Sequence, residues 1–140
     1  MAISKCLGMV GAALITRAAL AAGETGALAV GTPLTVTRFP LQSDSTDEHK
    51  VKVCADGGVP DAVVTAAIDE TTTGTICYIN QDRIPLRLGG TVAKGDLLKV
   101  SGGKFIRCMT GDKGIASTNV DGAANDIASG YGIKHGLTAP

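Results

Sequence analysis

Apolar and polar residues alternate in short runs along most of this chain, and glycine and polar turn residues interrupt the runs at close spacing. Leu34-Thr35-Val36-Thr37-Arg38-Phe39 keeps a period of two and is rich in β-branched side chains, which predicts a half-buried strand. Gln42–Lys50 (QSDSTDEHK) follows as the most hydrophilic stretch and reads as a loop. Further strands are predicted at Val51–Cys54, closed by Asp56-Gly57-Gly58, and at Val63–Ile68, closed by the polar loop Asp69–Gly74. Thr75–Ile79 and Ile84–Leu88 come next, separated by Asn80–Arg83.

The sharpest local signal is Leu97–Arg107. Two short apolar runs there flank Gly102-Gly103, the pair that supplies both positive-φ residues of a type I′ hairpin. Gly111–Gly130 is looser and rich in small residues, and a last strand is predicted from Tyr131 to Leu137. Only the Ala-rich stretches 12–22 and 123–129 suit a helix, and Gly11 weakens the first. About eight short strands with glycine turns predict an all-β fold. The expected form is a small barrel or sandwich of short antiparallel strands, with an extended N-terminal arm and little helix. The division expected is an arm over residues 1–22 and a single β-rich domain over 23–140.

Composition narrows what such a fold can do. The 13 Lys and Arg balance the 13 Asp and Glu, so no general electrostatic pull toward nucleic acid or an anionic membrane is expected. Arg83 and Arg87 flank one strand, but they lack the clustered basic residues and stacking aromatics of a nucleic-acid surface. With 19 Ala, 19 Gly and only four aromatic side chains in 140 residues, the core must be built mainly from small aliphatics. Each of these buries less area than an aromatic ring, which makes the chain a candidate for stabilisation by its own copies or a larger partner.

The first residues, MAISKCLGMVGAALITRAALAAG, imitate a secretory signal. Arg17 interrupts the apolar stretch, and the roughly 11 residues from Cys6 to Thr16 are too few to span a bilayer. The segment is therefore read as an arm docked on a neighbour or on the body of its own domain. In the first case Lys5 and Arg17 would pair with carboxylates of the partner, while Leu7, Val10, Leu14 and Ile15 fill a groove.

Catalytic and metal-binding constellations fail in turn, so no catalytic, cofactor-binding or metal-ligating residue is assigned. Cys6, Cys54, Cys77 and Cys108 are too far apart for paired zinc ligands. The last three sit in apolar strand-like runs and read as small buried hydrophobes. His49, in the charged loop, reads as a solvated side chain, and His135 is equally isolated. There is no G-x-S-x-G elbow, no H-E-x-x-H and no complete phosphate loop, since Ser101-Gly102-Gly103-Lys104 lacks the leading glycine and the trailing hydroxyl. Asn119-Val120-Asp121-Gly122 imitates the middle of a calcium loop, but Ser117 and Ala128 stand where the acidic first ligand and the bidentate Glu belong. An Asx-type turn is expected there.

From Cys54 to Lys113 a family pattern emerges. An Asp-Gly-Gly turn leads to Ala62-Val63-Val64-Thr65-Ala66-Ala67-Ile68, then a Thr/Gly turn (Thr72–Thr75) and a strand. Next come Leu88-Gly89-Gly90-Thr91-Val92-Ala93-Lys94-Gly95-Asp96-Leu97-Leu98, the Gly-Gly hairpin, and Lys104–Lys113. This stretch resembles the capsid decoration (cement) proteins of tailed bacteriophages, whose segments read G-x-x-V-x-x-G-D-x-(L/V) followed by a glycine hairpin. The resemblance implies a non-enzymatic structural virion protein on the outer capsid surface. It would bind major capsid protein subunits and its own copies, often as a homotrimer, and would need no cofactor. Two other readings stand beside it. One is a secreted or surface β-domain of adhesin type, which would use disulfides. The other is a lipoyl/biotinyl-like carrier, which needs a lysine presented at a hairpin tip, and Lys104 lacks the usual Met or Asp neighbours.

Overall fold

The computed structural model describes residues 15–41, 43, 44, 46–81 and 83–140, with the backbone alone at 134–136. All ten elements among them are strands, so the all-β expectation holds and the described residues of the two Ala-rich stretches are not helical. Five make a closed barrel: β1 (Ile15–Leu20), β2 (Pro33–Arg38), β3 (His49–Val53), β4 (Ala62–Ala66) and β5 (Gly74–Tyr78), in the cyclic order β1-β3-β2-β4-β5. The other five are β6 (Ile84–Arg87), β7 (Leu97–Ser101), β8 (Lys104–Arg107), β9 (Lys113–Thr118) and β10 (Ile127–Thr138), in the order β6-β10-β9-β7-β8.

The second sheet repeats the first strand for strand. In the first half Leu34 pairs with Val53 and Ala62, and in the second Leu98 pairs with Arg107 and Ala116. Val64 opposite Ile76 becomes Thr118 opposite Gly130, and Ala18 opposite Gly74 becomes Leu86 opposite Ala128. The parallel closure also recurs. Leu20 lies beside Val51 with the Ala21 N–H donating to the Val51 carbonyl, and Leu88 lies beside Phe105 with the Gly89 N–H donating to the Phe105 carbonyl. The turn before β2 and the turn before β7 are superimposable in pattern, with Gly31 and Gly95 both at φ +87°. That left-handed backbone is open to glycine at little steric cost, and it aims each N–H at a carbonyl of the strand across the barrel, Val64 or Thr118.

The interiors fill the same seats with different residues. Ala18, Ile76 and Ile68 in the first half correspond to Leu86, Gly130 and Gly122 in the second. Leu86 takes the space that a side chain at Gly130 would need, and Leu88 does the same at Gly122. Between Ala18–Ile76 and Leu86–Gly130 volume is conserved while its owner changes, as close packing requires. The two cores are also joined, because Cys54, Val63 and Cys77 of the first half pack with Ile84, Leu86, Leu88 and Phe105. Arg87 fastens the halves by polar bonds: its backbone N–H donates to the Gly31 carbonyl, and its Nε donates to the Val30 carbonyl at 3.0 Å.

Several expectations need correction. Residues 15–20, placed in the arm, form a barrel strand held between β3 and β5, so pairing on both sides overrides the helix propensity of its alanines. Strand β9 was not anticipated, because Gly114–Thr118 is buried on both faces and shows no alternation. Strand β10 begins at Ile127, inside the stretch suited to a helix. At the Gly-Gly hairpin Gly102 and Gly103 have φ of +59° and +72°, as a type I′ turn demands.

Candidate functional site

The residues expected to contact a partner divide in two. Lys5, Leu7, Val10 and Leu14 lie outside the described residues. Ile15 and Arg17 both point outward from β1, Ile15 with 60% of its surface exposed. Arg17 already has an internal partner, since its Nη2 lies 3.5 Å from the Glu48 carboxylate, which Lys50 and Thr73 also reach at 3.1 Å. Such an exposed pair contributes little to stability and leaves Arg17 free to exchange partners.

The main departure between the halves lies beside this strand. Fourteen residues separate the paired Val36 and Val51, whereas four separate their counterparts Val100 and Phe105. The extra residues carry the polar loop and, at its start, the exposed side chains Phe39 and Leu41. The loop is clasped by Asp47, whose carboxylate takes both Nη1 and Nη2 of Arg38, at 3.1 and 2.8 Å, and the N–H groups of Leu41 and Glu48. Those bonds, the Arg38 fork above all, hold the Asp47 carboxyl far below the usual carboxylate range.

Phe39 forms one rim of an apolar groove where the two halves meet. Val59, Pro60, Tyr78 and Ile79 from the first half and Ile115 and Ile133 from the second line a cavity of about 270 Å³, with the polar Asp61 and Asn80 also on its wall. Val59 and Phe39 expose 57% and 63% of their surface. Under the rim, His49 stacks edge-on against both Phe39 and Tyr78, and its Nε2 is hydrogen-bonded to the Tyr78 hydroxyl. His49 is buried, which corrects its reading as a solvated loop residue, and its Nδ1 has no hydrogen-bond partner. It is the first residue of β3, and the apolar neighbours that enclose it arrive from distant positions. Burial, with the Asp61 carboxylate as a lesser cause, pushes the Tyr78 phenol up from its ordinary value.

The remaining polar groups serve the fold. Cys54, Cys77 and Cys108 are free and buried, and burial pushes the Cys77 thiol up to about 11, so it is a thiol and not a nucleophilic thiolate at neutral pH. Among the described residues no three His, Cys, Asp or Glu side chains converge as a metal site. Asp121, in the calcium-like stretch, does not close a local turn; its Oδ1 accepts the Lys94 N–H at 2.7 Å, across the bridge that joins Val92 to Gly122. Lys104 donates to Asn125 Oδ1 at 2.8 Å, which ties down the lysine nearest the hairpin tip.

No protein-family model matches the chain, and no curated protein matches it. Among solved structures it is similar to the head fiber gp8.5 N base of bacteriophage phi29, with a TM-score of 0.66 and 11% sequence identity. The match covers 90% of this chain and 98% of that one, so both halves of the molecule take part in it. At that identity the two proteins share a fold, and this chain is an all-β protein built like the base of a phage head fiber.

Proposed function

We propose that this chain is a structural protein of a phage virion that decorates the outer capsid surface. The observation that carries the reading is the shared fold with a phage head fiber base over nearly the whole of both chains. The resemblance of residues 54–113 to capsid decoration proteins supports it from the sequence side. Its partners would be the major capsid protein and copies of itself, in a homotrimer. Neither nucleic acid nor membrane is among the proposed partners, and the role needs no enzymatic group or cofactor. The contact face would be the first-half surface formed by the arm residues Lys5, Leu7, Val10, Leu14, Ile15 and Arg17 together with the exposed Phe39 and Leu41. Binding summed over many copies lets each contact stay weak. No specific observation favours an adhesin-like domain, and the tethered Lys104 gives no support to a swinging carrier lysine.

The test is sedimentation of the purified chain with phage capsids that lack it. Saturable co-sedimentation at micromolar concentration is expected, and a chain that stays in the supernatant would overturn the reading.

A further inference from the structure

The halves differ in charge as well as in packing. Residues 15–79 carry eight Asp and Glu against four Lys and Arg, whereas residues 80–140 carry eight Lys and Arg against five Asp and Glu. Ion pairing sharpens the contrast. Arg17, Arg38 and Lys50 are bound to Glu48 and Asp47, and among the described residues no cation pairs with Glu24, Asp69 or Glu70. These three carboxylates gather at the end of the first barrel that holds the Leu28–Ile68 bridge, where the Gly26 N–H donates to Glu70 Oε1 at 3.4 Å. Ala29, Ala66 and Ala67 are exposed beside them, so the acidic end is also smooth.

The second half presents the opposite character on the outer side of β6 and β10. Ile84, Leu86 and Ala128 are buried, so alternation turns Arg83 and Pro85 outward from β6, and Ile127, Ser129 and Tyr131 outward from β10. Ile127 and Tyr131 expose 48% and 41% of their surface, and Arg83, just before the Ile84–Gly130 pair, is exposed at the Tyr131 end of the face. The repeat shows what becomes of such a face when it has a partner. Tyr131 pairs with Ser117 as Cys77 pairs with Val63, and both Cys77 and Val63 are fully buried in a cluster with Ile84 and Leu86 of the other half. Tyr131, in the equivalent seat, stays open.

We infer that the outer face of β6 and β10 is a contact between copies of this chain, seated on the acidic end of a neighbour's first barrel. Tyr131 and Ile127 lose water against the alanines there, and Arg83 faces Glu24, Asp69 and Glu70. An amphipathic aromatic ringed by complementary charge is the usual anchor of such a contact. Because the two surfaces differ, the contact is heterologous, and it makes a closed ring such as the proposed homotrimer if its rotation closes. The inference deepens the proposed self-association, and it leaves Phe39 and Leu41 free for the capsid.

Analytical ultracentrifugation of the full chain tests this without a capsid. Its mass should rise to a multiple of the chain mass as concentration increases from about 1 to about 100 μM, the range in which a contact of modest size fills. Tyr131→Asp, Arg83→Glu and Glu70→Arg should each weaken the association at least about tenfold. Arg83→Glu together with Glu70→Arg in one chain should restore it, a rescue that damage to the fold would not give. A chain that stays monomeric at every concentration would overturn the inference, as would an assembly that Tyr131→Asp and Arg83→Glu leave intact. Single variants that dissociate without rescue in the double variant would overturn the acidic end as the seat. A monomer whose capsid co-sedimentation is lost in Tyr131→Asp would give the face to the capsid protein instead. Since the mass is read without capsids, a monomer sinks this contact alone and leaves the virion reading to its own test.

Discussion

The first five strands close into a barrel over three parallel residue pairs between β1 and β3, whereas the second five form a sheet whose edges meet only at a single bridge between Leu88 and Phe105. The other ladders share a set of equivalent pairs, but they differ at their ends, where β10 runs on past a bulge to pair Leu137 with Gly114 and Thr138 with Lys113, and Arg38–Lys50 stands in place of Ser101–Lys104. The second half turns from β7 to β8 through two glycines, and the first takes the same turn with ten additional residues. Those residues border, through Phe39, the groove on the first barrel. Conserved register with altered loops separates scaffold from contact face: the ladders hold the fold, and the additions are where a partner would be met.

The comparison can be broken first in the cores. Phe105 and Val51 occupy equivalent seats, and both are fully buried. Phe105→Ala should cost about 3–5 kcal/mol and Val51→Ala less, measured by denaturant unfolding. Comparable losses would mean that the seats are not filled as described. The exchanged volumes give a stricter test. Ile76→Gly should cost at least the roughly 2–5 kcal/mol of an Ile→Ala cavity, and Ala18→Leu about 1–3 kcal/mol by overpacking. The double variant rebuilds the Leu86–Gly130 arrangement of the second half, so its cost should fall well below the sum of the two. Strict additivity would contradict the equivalence.

A smaller effect is expected at the groove. Tyr78→Phe removes the hydrogen bond to His49 and leaves both ring nitrogens of a buried imidazole without a partner, a loss of about 1–3 kcal/mol. An unchanged midpoint would show that the bond contributes nothing. The smallest effect on global stability should come from acid. The Asp47 carboxyl is held low in the folded chain, so its contribution is present above the ordinary carboxylate pKa of about 4 and is lost as pH falls below it. The 39–48 loop should therefore gain protease sensitivity in acid before the barrels unfold, and Asp47→Asn should show the same sensitivity at neutral pH. Loop cleavage that follows global unfolding in both cases would contradict the clasp.

How much of this was legible in the sequence depended on alternation. Strands β2 and β6 show a period of two and the β7–β8 hairpin a paired-glycine turn, β5 is a short apolar run bounded by turns, and each appears within a residue or two of its expected place. Strand β9 gives no such signal because Ile115, Ala116, Ser117 and Thr118 are all buried. The duplication was hidden for a related reason. Equivalent seats hold Ile76 and Gly130, or Val51 and Phe105, so the residue at a single position differs between the halves. His49 could not be placed from its polar neighbours, since Phe39 and Tyr78 enclose it only once β3 and β5 share a barrel. The groove was equally out of reach, being assembled from residues of both halves.

On the proposed reading the additions to the first barrel, and not the duplicated scaffold, would attach this protein to a capsid. Replacing residues 37–50 by Ser-Gly-Gly-Lys, the hairpin of the second half, removes the loop and keeps the register of β2 and β3. Capsid co-sedimentation of that variant is the direct test. The account predicts a chain that still unfolds cooperatively and has lost capsid binding, and binding equal to that of the unaltered chain would contradict it.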